Sequence, residues 1–141
     1  MKKITSLSII LIAIIFASCK KYPEGPSISF RSKVERLSNT WHVKQYFENG
    51  VDKTNDFNNI CQNYTLTINK NETYTLTYKA FGLINYSEAG AWSFNTDKTG
   101  VTFKNNSNNQ TSNWTILKLL ETELWGKFID SNKTIEVHLI P

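Results

Sequence analysis

The sequence predicts an all-β domain, an eight-stranded antiparallel up-and-down barrel preceded by a short helix. Two observations predict it. From residue 40 onward apolar side chains recur with a period of two in eight short segments, separated by clusters of Asn, Asp, Gly, Ser and Thr. The connections between those segments alternate long and short, and in a meander every second loop falls at the same end of the barrel. One end should therefore be closed by tight turns, the other open and ringed by long loops.

Ahead of the domain, residues 1–18 have the layout of an export signal: Lys2 and Lys3, an apolar run over Ile9 to Ala17, and the small residues Ala17 and Ser18 before Cys19. As a helix that run reaches about 14 Å, roughly half of a ~30 Å hydrocarbon core. Phe16-Ala17-Ser18-Cys19 resembles the lipobox of bacterial lipoproteins. The resemblance implies cleavage before Cys19 and acylation of its side chain and amino group, and stable anchoring does need more than one chain. An uncleaved anchor beginning at Ile4, or an ordinary secreted protein with a chance cysteine, stays open. Lys20-Lys21 provides neither an aspartate retention signal nor an acidic export run, which favours the outer membrane and leaves the face open.

Residues 19–29 read as the lipidated N-terminus and a tether, with Pro23, Gly25 and Pro26 and no periodicity, and residues 30–141 as the barrel domain. Phe30, Val34 and Leu37 fall at i, i+4 and i+7, one stripe of a short helix ending near Ser38. The first strand spans Thr40 to Phe47, with Trp41, Val43 and Phe47 inward. Tyr64 to Ile68 and Thr73 to Tyr78 alternate most cleanly, placing Tyr64, Leu66, Ile68, Tyr74, Leu76 and Tyr78 against threonines. The remaining strands are Ala91 to Asn95, Val101 to Lys104, Asn113 to Leu119, Glu123 to Ile129 and Thr134 to Ile140. Leu117, Leu119 and Leu120 break the alternation of the sixth. The connections at Glu48 to Gln62, Ala80 to Gly90 and Asn105 to Ser112 share the open end.

Leu37-Ser38-Asn39-Thr40-Trp41, the long first loop and Gly90-Ala91-Trp92-Ser93-Phe94 resemble the lipocalin superfamily, in particular its small lipoprotein members. The family's Gly-x-Trp appears here as Asn39-Thr40-Trp41, and Asn is the residue that best tolerates left-handed backbone after Gly. The resemblance implies a deep, closed-end position for Trp41. The family's late-strand arginine over that tryptophan is missing. Arg31 or Arg36 from the helix could cover Trp41, or both could be solvated.

Removing Lys2 and Lys3 leaves 14 basic against 12 acidic side chains, too balanced for a nucleic-acid footprint. His42 and His138 fall on the outward face and read as surface residues. No His, Cys and carboxylate cluster has metal-ligand spacing, no cofactor motif is present, and no nucleophile has a base beside it, so the chain reads as non-enzymatic. Cys61, the second cysteine, is either a buried inert thiol or a site of pairing between chains.

The candidate binding residues are Phe47, Tyr64, Tyr78, Phe103, Trp114 and Phe128 at the open end, with Phe81, Leu83 and Tyr86 from the Ala80 to Gly90 connection. Such a lining suits a neutral or weakly polar hydrophobic ligand, and no inward cation is expected to hold a carboxylate. The alternative is a barrel filled by its own aromatics, acting as an interaction module that binds another envelope or extracellular protein through the open-end loops. The apolar residues of the Ala80 to Gly90 connection could form a lid, a docking patch, or an extension of the neighbouring strands buried in the core.

Overall fold

The computed structural model describes Tyr22, Pro23 and residues 30–141; the expected export signal, Cys19 and the rest of the expected tether lie outside the described residues. The first element, α1 (Lys33–Leu37), is started by Ser32. Its hydroxyl accepts from the Glu35 N–H while the Glu35 carboxylate accepts from the Ser32 N–H, a reciprocal cap. That cap sets the helix start three residues after Phe30, so Phe30 leaves the expected stripe and is fully exposed, whereas Val34 and Leu37 pack into the core.

The strands are β1 (Thr40–Glu48), β2 (Val51–Asp52), β3 (Cys61–Ile68), β4 (Thr73–Ala80), β5 (Ile84–Phe94), β6 (Gly100–Asn105), β7 (Thr111–Leu119), β8 (Leu124–Asp130) and β9 (Lys133–Ile140), with α2 (Thr54–Ile60) between β2 and β3. Neighbours pair antiparallel in chain order from β3 to β9. β1 pairs both β3 and β9, which closes an eight-stranded barrel and leaves β2 as a two-residue flap on β1. The closed end carries α1 and the turns at 69–72, 95–99 and 120–123. The open end carries the β2 and α2 segment, the β4–β5 hairpin, the 106–110 loop and the turn at Ser131-Asn132.

Extra residues in the strands revise several sequence assignments. In β1 the register passes from Val43↔Leu139 to Gln45↔His138, so Lys44 is a bulge and the faces exchange beyond it. Tyr46 therefore turns to the core, and Phe47 turns outward against the His138 ring at 5.2 Å. In β7 Leu117 is the extra residue between Ile116↔Gly126 and Lys118↔Trp125, which lets Trp114, Ile116 and Leu119 all face inward despite the broken alternation.

The expected ten-residue loop after the third strand is instead a hairpin. Pairing continues from Thr73↔Ala91 to Ala80↔Ile84, and Phe81 and Gly82 both take positive φ in a tight turn closed by Leu83 N–H to Ala80 O. Phe81, Leu83 and Ile84 are thus neither buried in the core nor folded over the mouth; they stand exposed at the hairpin tip.

The closed half is solidly packed by Leu37, Trp41, Ile68, Ile116, Leu119, Leu124 and Leu139. At roughly 1.5–3 kcal/mol for each fully buried large apolar side chain, this layer dominates the favourable side of folding. Trp41 is completely buried and donates its indole N–H to the Leu37 carbonyl. Asn39 is absent from the left-handed residues, so it does not reproduce a glycine's conformation. Its side chain instead accepts from the Thr40 N–H and donates to the Glu121 carbonyl.

Arg36 is buried, not solvated, and donates from Nη1 to the Leu119 carbonyl at 2.7 Å. Arg31 pairs with Glu121 at the surface. Tyr22, inside the expected tether, is buried at the same end: its hydroxyl donates to the Lys98 carbonyl and Lys33 lies over its ring. His138 is on the outer face as expected yet buried, because Trp125 stacks on it at 3.8 Å and Gln45 and Glu136 hydrogen-bond its two nitrogens. His42 is exposed.

Candidate functional site

The same alternation that packs the closed half leaves the open half hollow. A cavity of about 600 Å³ opens at the barrel mouth, lined at its apolar side by Tyr64, Leu66, Tyr74, Leu76, Phe103, Trp114 and Phe128. Its size is that of a small-molecule site. Asn105, Gln110, Ser112, Asn113 and Asp130 supply polar groups toward the mouth. The barrel is thus filled below and open above.

Two runs of rings contain the aromatics that line the cavity, Tyr64 in the first and Tyr74, Phe103, Trp114 and Phe128 in the second. On one wall Phe57 of α2 stacks on Tyr46 at 4.5 Å and meets Tyr64 at 5.4 Å; Tyr64 faces Tyr78 at 6.3 Å, and Tyr78 stacks on Tyr86 at 4.6 Å. On the other, Tyr74 meets Phe103 at 5.1 Å, Phe103 meets Trp114 at 5.2 Å, and Trp114 stacks on Phe128 at 4.7 Å. Edge and offset contacts of this kind hold each ring in a fixed orientation. Trp114 also donates its indole N–H to the Ser112 hydroxyl.

Glu88 joins the two walls. It lies on the inward face of β5 with Tyr86, Gly90 and Trp92, and it lines the cavity. One carboxylate oxygen accepts from the Tyr74 hydroxyl and the other from the Tyr86 hydroxyl. Among the described residues it has no ion-pair partner, and no lysine or arginine lines the cavity.

The phenols are tuned as neutral donors. The hydrogen bond to Glu88, then burial, pushes Tyr86 up to about 12. Burial and then the bond to Glu88 push Tyr74 up, and burial first, with Cys61, Glu88, Tyr78 and Tyr46 nearby adding to it, pushes Tyr64 up strongly. Tyr46 and Tyr78 rise from the same cause. Cys61, half-buried at the open end of β3, has its thiol pushed up by burial, which lowers its thiolate fraction. Among the described residues no group of His, Cys, Asp and Glu is gathered to hold a metal ion.

Of the candidate binding residues, Tyr64, Phe103, Trp114 and Phe128 line the cavity. Tyr78 and Tyr86 continue the aromatic wall toward the rim, where Tyr86 is partly exposed. Phe81 and Leu83 sit on the hairpin tip and Phe47 on the outer wall, so these three do not contribute to it. The sequence reading missed Tyr46, Phe57 and Glu88. Glu88 had a signal: counting back in twos from Trp92 passes through Gly90, Glu88 and Tyr86.

No family model and no curated protein matches the chain. Among solved structures it is similar to a lipocalin-like protein from Bacteroides uniformis ATCC 8492, with a TM-score of 0.55 and 10% identity, covering 74% of this chain and 97% of that one. At that identity the likeness carries the fold alone, and the fold is a lipocalin-like closed barrel of eight antiparallel strands.

Proposed function

We propose that this chain is a non-catalytic, lipid-anchored protein of the cell envelope that binds a small hydrophobic molecule in its barrel. The observation that carries the binding reading is the cavity of about 600 Å³, walled by Tyr64, Phe103, Trp114 and Phe128 and open at one end only. Closing apolar surface over rings already fixed by one another costs little ordering entropy, so burial of the ligand is realised as affinity. The anchoring reading rests on the Phe16-Ala17-Ser18-Cys19 resemblance and the leader before it. The outer membrane is the proposed site of attachment.

Native mass spectrometry of the chain from Lys20 onward, purified from its export compartment, tests the binding. A stoichiometric apolar molecule should co-purify and be lost in Trp114→Ala. Repeated recovery of an empty chain that takes up no hydrophobic dye would refute it. Radiolabelled palmitate should enter the full chain and fail to enter Cys19→Ala.

One observation favours a second reading. Phe81, Leu83 and Ile84 at the hairpin tip are 66%, 82% and 67% exposed, and Ile60 lies beside them through the Phe81 N–H to Ile60 carbonyl bond. An apolar patch of that kind fits a protein-docking surface. Under this reading charged substitutions at Leu83 and Ile84 abolish co-purification of an envelope protein and leave dye uptake intact.

A further inference from the structure

The geometry points to a ligand bearing a cationic amine, seated against Glu88 with its apolar body between the two aromatic walls. This inference rests on the cavity being a binding site and names what the site selects. Glu88 is the only acid on the inward stretch of β5, and it stands where the two runs of rings meet, held by Tyr74 on one wall and Tyr86 on the other. Two phenols occupy one acceptor position on each oxygen. A carboxylate has roughly four, so acceptor capacity remains for a donor inside the cavity.

The walls supply no positive charge. Among the described residues Glu88 has no ion pair, and the polar groups nearer the mouth are amides, the hydroxyls of Thr111 and Ser112, and Asp130. A carboxylate partly withdrawn from water without a counter-charge is unfavourable, and a bound cation relieves that cost. An ammonium head would form a charge-assisted hydrogen bond to Glu88. Aromatic side chains line the same cavity, and aromatic rings attract cations through their quadrupoles. Anionic amphiphiles such as fatty acids meet two carboxylates and no cation, and are rejected. The neutral or weakly polar ligand expected from the sequence followed from the lack of an inward cation, with Glu88 left inside the Ala80 to Gly90 connection.

Three probes of one shape decide the matter: 2-(1-naphthyl)ethylamine, 2-(1-naphthyl)ethanol and 1-naphthaleneacetate, titrated against the processed chain at pH 7 by calorimetry. The amine should bind about tenfold more tightly than the alcohol, the step expected for one hydrogen bond to a charged group, and the acetate most weakly. Glu88→Gln should bring amine and alcohol to equal affinity, while Tyr86→Phe, which keeps the carboxylate, should retain the preference. Equal affinities in the unmutated chain, or a preference that survives Glu88→Gln, would overturn the inference and leave the binding cavity standing. Failure of all three probes to bind would overturn both. Should Glu88→Gln not fold, the amine-to-alcohol ratio in the unmutated chain decides alone.

Discussion

Gly126→Ala makes the coupling between barrel packing and cavity measurable. Gly126 pairs with Ile116 and faces inward beneath the Trp114 indole. A Cβ there would stand 2.5 Å from Trp114 Cε3, 3.1 Å from Cζ3 and 3.4 Å from Cδ2. An ordinary carbon contact is about 3.5–4.0 Å, so the ring must retreat by roughly an ångström. Its retreat is opposed on one side by Phe128, stacked at 4.7 Å, and by Phe103 at 5.2 Å; the cavity is the free direction. Overpacking of this kind costs about 1–3 kcal/mol, which for a domain of this size is a fall in Tm of roughly 4–12 °C. Urea unfolding followed by tryptophan fluorescence gives the first number, and uptake of a hydrophobic dye reports the lost space. A variant within about 0.5 kcal/mol of the parent, with unchanged dye uptake, would refute the claim that Gly126 seats Trp114 and keeps the cavity open.

Other outcomes follow from the closed end and from the tyrosines. Arg36→Ala should cost about 1–3 kcal/mol in urea unfolding, since it leaves the buried Leu119 carbonyl without its donor. Arg36→Lys should recover only part, because an ammonium lacks the planar fork that reaches that carbonyl. All six tyrosines have phenols raised above the ordinary value, Tyr22 and Tyr86 to about 12. Between the unfolded value of about 10 and those folded values the native state keeps protons that the unfolded chain releases. Stability is therefore intact below pH 10 and falls as pH rises toward 12. Tyrosinate absorbance at alkaline pH should rise together with loss of structure, and a smooth titration of the folded protein near pH 10 would contradict the burial of these rings.

Strand identity was legible because most inward positions carry a large apolar residue and many outward ones a Thr, Lys or Asn, most cleanly in β3 and β4. The failures came where one residue breaks the period. Lys44 carries no mark of a bulge, so Phe47 was assigned to the face that Tyr46 takes. Phe81-Gly82 reads as a loop by composition, and the long pairing of β4 with β5 is what puts Glu88 in the barrel. The flap and α2 lie in an Asn-rich stretch without apolar period, and their place at the open end comes from pairing with β1, bonds to the Tyr46 backbone, and Phe57 stacked on Tyr46 and edge-on to Tyr64. His138 was read as solvated since a two-faced strand implies a wet outer face. Trp125 stacked on the ring from the next strand is a contact that no single segment announces. A lone Tyr22 among Pro and Gly gave no sign that it packs onto the Lys98 turn.

The bond between β1 and β9 has a consequence in time. Tyr46 pairs with Val137 and Val43 with Leu139, contacts that span more than ninety positions of the chain. Forming them requires the ends of a long loop to meet before any reward is collected, and topologies dominated by such pairings fold slowly. A chain emerging in order presents β1 and β3 through β8 as an open, curling sheet whose edge strands, β1 and β8, lack their barrel-closing partner until residues 133–140 arrive. Until then its two edges, β1 and β8, keep unpaired backbone groups, the condition in which a sheet is most exposed to sticking to its neighbours.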